Sequence, residues 1–375
     1  MSQIKTNQKI ICLQIIPSLG VGGIERGVLD ISRYLDSLSI ENHIFCENYN
    51  PNLLTKTEIE KIITTQNESF KSILGIKKIK KQLKAIVKKY NINLIHVSSR
   101  APAFFLNSFI KKLPVKYVTS FHNPYKKKNF LKKFYNSFLL KGDIVIANSY
   151  FTKKHIQLEY NKNSNIFVVQ RGTDIKYFNP DNISVTEINN IKNELNIKEE
   201  EIVFMIPSRI SSWKGHPKFL EYIFKINLKN NEKFKILFFS NNDFQKNNLY
   251  KIAKKFHLIN ELIILNESQN IRNYYFLSDI IISMSLKEEG FGRTISEALA
   301  MKKIVIAPKQ GGTKEQLEKF DNNLLFVPNN LHSFENAIKY AIKNKDNNIE
   351  LRRKYIVSNF SLEDMLSKTL SLYEK

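Results

Sequence analysis

The sequence predicts an α/β protein of two Rossmann-like domains facing each other across a cleft, and three observations carry that reading. Short β-branched apolar runs alternate with longer stretches of helical period, the pattern of a parallel sheet covered by helices on both faces. This rhythm stops over a polar stretch at residues 181–200 and then starts again. The length, 375 residues, exceeds what one ordinary core accommodates and suits two. The domain limits that follow are 1–185 and 195–355, with a C-terminal helix in 356–375 as a candidate to pack across the junction.

In the first half, strands are expected at residues 10–16, 42–46, 94–97, 117–120, 144–147 and 166–169, each rich in Ile, Val, Leu, Phe or Tyr. Apolar spacings of three and four predict helices at 25–37, 77–90, 103–111, 130–140 and 152–160. The stretch 181–200 is short of strand formers and reads as the connector. In the second half the strands fall at 202–207, 234–240, 262–266, 280–285, 304–307 and 324–327. Helices fit 217–229, 249–256, 271–277, 294–300, 313–318 and 331–343, and the tail 360–373 is amphipathic. Ligands of such sheets bind beyond the carboxyl ends of the strands, so the loops that follow strands are where chemistry is to be sought.

Composition narrows the class. Apolar residues make up 42% and aromatics 11%, which excludes disorder for the bulk of the chain. Cys12 and Cys46 fall in strand segments and read as small buried hydrophobes in a reducing compartment, not as a disulfide or metal site. The run at residues 10–19 is interrupted by Gln14 and Pro17 and leads into a glycine turn, so it reads as a first strand rather than an export signal. No stretch approaches the ~18 apolar residues of a spanning helix. The expectation is a soluble or peripheral cytoplasmic protein. A net charge of +23 favours anionic partners, though a chain so rich in Lys, Ile and Asn carries much of its lysine as ordinary solvated surface.

Four constellations carry chemistry. The first runs from Glu289 through Gly290, Phe291, Gly292, Arg293 and Thr294 to Glu297, two acids separated by seven residues after a strand. The glycines let backbone approach a ligand, and the helix starting near Arg293 or Thr294 points free N–H groups at anions. Glu297, about one turn in, is placed to accept bonds from paired hydroxyls. The second is Ser208-Arg209-Ile-Ser-Ser-Trp213-Lys214-Gly215, where a planar guanidinium and a point charge on one strand-to-helix loop can converge on a diphosphate. The third is Gly20-Val-Gly22-Gly23-Ile-Glu25-Arg26; Glu25 stands where a dinucleotide fingerprint has its third glycine, which weakens a nicotinamide reading. The fourth is Ser120-Phe-His122-Asn-Pro-Tyr125, after another strand.

Taken together, these motifs resemble the retaining glycosyltransferases of family 4, the group 1 glycosyl transferases of GT-B fold. The family's pair of acids seven residues apart matches Glu289 and Glu297, and the run Ile304-Val-Ile-Ala-Pro-Lys-Gln-Gly311-Gly312-Thr313-Lys-Glu315 resembles its strand, loop and paired glycines before an acid. The resemblance implies that Glu289 contacts the donor sugar and Glu297 the ribose, with amides around Phe291 and Gly292 touching the donor. Arg209 and Lys214 become the pyrophosphate clamp, aided by amides near Gly311, Gly312 and Thr313. Gly22 and Gly23 approach the diphosphate and acceptor, and His122 faces the donor sugar. A UDP- or GDP-sugar donor, a glycan or lipid-linked acceptor, no cofactor and no metal are implied. Cell-surface polysaccharide or lipopolysaccharide synthesis is the expected setting.

Departures from the family pattern are specific. Asn123 follows His122 where glycine is usual, Lys302 occupies a glycine position at a helix end, and Ser240-Asn241-Asn242-Asp243 replaces a glycine-rich loop. Arg171-Gly172-Thr173-Asp174 matches a family turn and reads as hinge structure; Trp213, the single tryptophan, reads as packing. A same-fold sugar-nucleotide epimerase is the nearest alternative. A basic nucleic-acid-binding protein explains the charge but not the ordered loops, and the chain lacks the motifs of one. Two lysine clusters suggest an anionic membrane surface: Lys77, Lys78, Lys80, Lys81, Lys84, Lys88 and Lys89 beside Ile79, Leu83, Ile86 and Val87, and Lys126, Lys127, Lys128, Lys132 and Lys133 beside Phe130, Leu131, Phe134 and Tyr135.

Overall fold

The computed structural model describes residues 9–20, 22–125, 129–267 and 270–375; Val21 of the glycine loop and Lys126, Lys127 and Lys128 of the basic cluster lie outside the described residues. Contacts group the chain into two compact units, Met1–Gln170 with Met365–Lys375, and Arg171–Asp364.

The first unit is built on a seven-stranded sheet, all of it parallel. Its spatial order is Ile62–Thr64, Asn42–Cys46, Cys12–Ile15, Leu94–Val97, Lys116–Phe121, Ile144–Ala147 and Ile166–Val168. The strands are apolar on both faces because helices cover both, and Leu13, Ile15, Phe45, Ile95, Val97 and Phe121 are fully buried. Cys12 and Cys46 are buried and free, and burial pushes the Cys46 thiol up to about 12, so neither is a thiolate at neutral pH. The C-terminal segment belongs to this unit. Fully buried Tyr373 brings its hydroxyl 2.6 Å from His96 Nδ1, while His96 Nε2 lies 2.7 Å from Ser120 Oγ.

The second unit holds a six-stranded parallel sheet in the order Leu262–Leu265, Phe234–Phe239, Ile202–Met205, Ile280–Ile282, Ile304–Pro308 and Leu325–Phe326. Phe204, Phe238, Ile281 and Ile306 pack against Phe219, Ile295, Leu299 and Phe334 from its helices. This unit begins at Arg171, upstream of the polar stretch read as a connector. Thr173 pairs with the 360–362 backbone, donating to Phe360 O at 2.8 Å and accepting from Leu362 N at 2.9 Å. A Cβ on Gly172 would lie 2.5 Å from Leu362 Cα, so the turn needs glycine for close approach. Arg353 adds three bonds to main-chain carbonyls of Ile175, Phe178 and Ala300.

The expected elements are present, and the differences trace to caps and short pieces. The connector contains a helix, Val185–Glu194, whose start Ser184 caps by accepting from Glu187 N. The helix Ile73–Lys89 starts four residues before the apolar period does, because Ser72 caps it. The loop at 240–243 is likewise a cap: Asn242 accepts from Gln245 N at 3.0 Å, and the helix Asp243–Lys255 begins six residues before its expected start. Strand Ile62–Thr64 and helix Lys56–Glu60 are too short to show a period. Helix Ile349–Asn359 lacks an apolar stripe and is held instead by buried Arg352, which donates to Lys302 O, Asn344 O and Asn347 O at 2.7–2.9 Å.

Lys302 behaves as its position demands. It is left-handed at φ +61°, its N–H donates to Leu299 O at 3.0 Å, and Lys303 N–H donates to Ala298 O at 2.9 Å. This is a Schellman closure of the helix Arg293–Ala300, with a side chain where glycine fits without strain. Lys302→Gly is expected to raise stability by about 0.5–1 kcal/mol, the relief of left-handed strain outweighing loss of the surface ion pairs to Glu350 and Asp181. Urea unfolding of both proteins measures it; a loss of stability contradicts the strain argument.

Candidate active site

Three adjacent strands of the second sheet, Ile202–Met205, Ile280–Ile282 and Ile304–Pro308, deliver three loops to one carboxyl edge. The first loop holds Arg209, Trp213 and Lys214; the second holds Glu289 through Gly292; the third leads into Gly311 and Gly312.

The first loop is pinned from below. His216 is fully buried, and its Nε2 donates to Ser208 O at 3.1 Å, which assigns the tautomer. Burial pushes its pKa down to about 4, the charge of Lys214 adding to the effect, so the ring is neutral at physiological pH. Gly215 is left-handed at φ +77°, and a Cβ there would lie 2.1 Å from Met284 O. Trp213 O accepts from Leu286 N at 2.7 Å, joining this loop to the second.

Lys214 is the side chain that crosses between loops. Its ammonium sits 2.8 Å from Glu289 Oε1 and 4.5 Å above the Trp213 ring. Ser285 Oγ donates to the same carboxylate oxygen. Trp213 is therefore a platform under a cation, beyond the packing role its sequence suggested. Arg209 is on the same loop but exposed, with no hydrogen bond or ion pair to any described residue. The two cations do not converge on one protein group.

The second loop turns into the helix Arg293–Ala300 at Gly292, which is left-handed at φ +90°. Phe291 is buried in the core with its ring 5.6 Å from that of Phe360, so only its main chain can serve a ligand. Glu297 is held at both oxygens: Arg293 Nη2 lies 2.7 Å from Oε1, and the buried Tyr275 hydroxyl donates to Oε2 at 2.9 Å. Thr294, in the first turn, is partly exposed.

The third loop packs main chain to main chain against the second. Gly312 N–H donates to Glu289 O at 2.9 Å, and Cβ atoms on Gly311 and Gly312 would lie 2.7 Å from Glu289 O and 2.5 Å from Gly290 O. The Gly312 amide, expected to face a diphosphate, is thus engaged by Glu289, because the two backbones approach too closely for anything to lie between. Gln310 Nε2 donates to Ser285 O at 2.9 Å and Gln316 Nε2 to Phe291 O at 2.6 Å.

In the first unit, Gly22 and Gly23 open the helix Gly23–Ser37 after the strand Cys12–Ile15. Gly22 has ordinary extended backbone, and a Cβ there would meet only the Glu25 carboxylate, the end of a side chain free to turn aside. His122 is buried at the carboxyl end of Lys116–Phe121, and its carbonyl accepts from Asn148 Nδ2 at 2.8 Å. Both positions lie at the carboxyl edge of one parallel sheet.

Sequence reasoning missed Ser285, Tyr275, His216, Gln310 and Gln316. Ser285 carried a signal, being a hydroxyl at a strand end four residues before Glu289. Tyr275 had none, since it reaches Glu297 from the preceding helix. Among the described residues no three His, Cys, Asp or Glu side chains are grouped as metal ligands.

His216 makes the site's support pH-dependent. Its folded pKa of about 4 lies below the unfolded value of 6.5, so the unfolded state binds its proton first and stability is lost as pH falls from about 6.5 toward 4. Between pH 7.5 and 4.5 this group is expected to remove about 2–3 kcal/mol, and His216→Asn to flatten that part of the profile. Urea unfolding at the two pH values compares them; equal slopes refute the burial argument.

Residues 21–177 match the family described as Glycosyltransferase Family 4, and residues 187–359 the glycosyl transferases group 1. A glycosyltransferase of Rickettsia africae ESF-5 is 32% identical, with a TM-score of 0.86 over 98% of both chains. A protein of Anabaena, crystallised in complex with UDP and glucose, is 20% identical and shares the fold at a TM-score of 0.81 over 97% of this chain and 99% of its own. The lipopolysaccharide 1,2-N-acetylglucosaminetransferase of Salmonella typhimurium is 26% identical over 48% of this chain and 50% of its own. With two parallel α/β units, an acid pair held at strand-end loops and these relatives, the chain belongs to the group 1 glycosyl transferases of family 4 and has the GT-B fold.

Proposed function

We propose that the protein transfers a sugar, with retention of anomeric configuration, from a UDP- or GDP-sugar to a hydroxyl of a glycan or glycolipid. The observation that carries this is the Lys214 ammonium, 2.8 Å from Glu289, which stands four residues before the helix start at Arg293. One of its three N–H donors faces Glu289, leaving two for phosphate oxygens. A cation fixed in this way stabilises the charge that grows on a departing diphosphate without a reorganisation cost.

In this reading Lys214 and Arg209 hold the diphosphate, Arg209 being an exposed side chain with its donors available. The amides of Gly311 and Thr313 assist, since that of Gly312 is engaged. Glu289, oriented by Lys214 and Ser285, accepts from the sugar hydroxyls, and Glu297, oriented by Tyr275 and Arg293, accepts from the ribose diol. Main chain at Phe291 and Gly292, with Arg293 and Thr294, lines the donor. Gly22, Gly23 and His122 serve the acceptor and the donor sugar. The acceptor oxygen attacks the anomeric carbon from the face the diphosphate leaves, the C–O bond to phosphate breaks, and the departing phosphate takes the acceptor's proton. In this reading no metal is required, because Lys214 and Arg209 supply the charge. The relative acting on lipopolysaccharide and the UDP complex of the Anabaena neighbour support a role in cell-surface glycan synthesis.

Lys214→Ala and Arg209→Ala are each expected to lower kcat by about 10²–10³, the loss of roughly 3–4 kcal/mol of charge stabilisation, with melting temperature unchanged for exposed Arg209→Ala and lowered for Lys214→Ala, which leaves the Glu289 carboxylate without its lysine. Glu297→Ala is expected to weaken UDP binding about tenfold or more in calorimetry, the loss of a charge-assisted bond pair; unchanged affinity refutes the ribose role. NMR of the product is expected to show the donor's anomeric configuration, and activity to persist in EDTA. Inversion, or abolition by chelator, overturns the proposed mechanism.

A further inference from the structure

The helix Phe130–Ser137 in the first unit is inside out. Its buried residue is polar: Asn136 is 3% exposed and accepts from Arg100 Nη1 at 3.3 Å. Besides Lys132 its exposed residues are apolar, with Phe130 80%, Leu131 73% and Phe134 51% exposed, the inner edge of the Phe134 ring resting on Phe104 and Phe138. At about 100° per residue these three span one arc of roughly 100°, turned away from Asn136. A helix packed on a soluble core shows the reverse arrangement, and contiguous exposed apolar side chains mark a surface that is covered in use.

The surroundings say by what. A cavity of about 290 Å³ beside the helix has Phe130, Phe134 and Leu140 as apolar lining and Lys133, Lys141 and Lys162 around it. None of these lysines, nor Lys132, forms an ion pair with a described residue. From Lys111 to Gly142 the sequence contains no Asp or Glu. Lysines near acids in the same unit are paired, as Lys78 is with Glu68 and Lys61 with Asp36. The other lysine-rich helix, Ile73–Lys89, exposes Ile73 and Leu74 at its first turn, but its apolar stripe of Ile79, Leu83, Ile86 and Val87 is buried in the core.

We infer that the helix Phe130–Ser137 docks the protein on an anionic lipid bilayer, Phe130, Leu131 and Phe134 entering between headgroups while Lys132, Lys133, Lys141 and Lys162 meet lipid phosphates. Three apolar side chains on a helix of eight residues suit shallow insertion, and an unneutralised basic rim suits a negative surface rather than a neutral one. This inference stands apart from the transfer chemistry, and its test reads binding alone.

The test is co-sedimentation of the full chain with phosphatidylcholine vesicles, with and without phosphatidylglycerol. Binding at least about tenfold tighter to the anionic vesicles, and weakened by salt, is expected. Phe130→Ser with Leu131→Ser, and separately Lys133→Ala with Lys141→Ala, are each expected to lower vesicle affinity about tenfold without moving the melting temperature. The lysine pair lies on the surface and keeps the test valid if the apolar variant folds poorly. No binding, or equal binding to neutral vesicles, overturns the inference. So does light scattering that shows a dimer dissolved by Leu131→Ser, because the patch then serves a second copy of the chain.

Discussion

Glu289 is the constraint on which the second unit's site depends. Its carboxylate accepts from Lys214 and Ser285, and its own carbonyl accepts from Gly312 N–H. One residue therefore ties together the loops from three neighbouring strands. A partly buried carboxylate is unfavourable without such partners, and a lysine held over an aromatic ring needs an anion nearby to stay ordered. The glycines follow from this arrangement, since Gly215, Gly311 and Gly312 stand where a Cβ would strike the backbone of the neighbouring loop. Their role here is close approach of protein to protein, before any approach to a ligand.

A second layer of support makes that geometry rigid. His216 stays neutral because burial disfavours its charged form, and as a neutral ring it donates to Ser208 O. Tyr275, fully buried, is kept in its protonated form by burial and by Glu297, so it remains the donor that orients that carboxylate. Both devices use burial to hold a protonation state, and both act through another residue. Together they leave the two acids of the motif oriented differently, Glu289 by a lysine and Glu297 by an arginine and a phenol.

The helix Phe130–Ser137 obeys the opposite rule. In the middle of the other long helices of the first unit apolar side chains turn toward the sheet, as Leu83 and Leu106 do, while exposed ones such as Ile73, Leu74 and Leu158 lie toward helix ends. Here Asn136 turns inward, and Phe130, Leu131 and much of Phe134 face out. Amphipathic pattern alone could not distinguish the two cases, because a period of 3.6 locates a stripe without saying whether core or an external surface covers it.

Much of the fold was legible in the amino-acid sequence. Strands buried on both faces are near-continuous runs of Ile, Val, Leu and Phe, so Leu94–Val97 and Ile144–Ala147 were found at their true limits. The acid pair, the glycines and the basic loop were legible because turns and strand ends need particular residues at fixed spacing. Helix starts were less so, because a capping side chain such as Ser72 or Asn242 sets them rather than the apolar period. Only the tertiary structure decided which groups meet: that Lys214 pairs with Glu289 while Arg209 stays exposed, that Gly312 serves Glu289, and that Tyr275 reaches Glu297 across 22 residues. Local propensity is written along the chain, whereas these contacts arise from the order in which parallel strands are laid side by side, which no spacing in the sequence records.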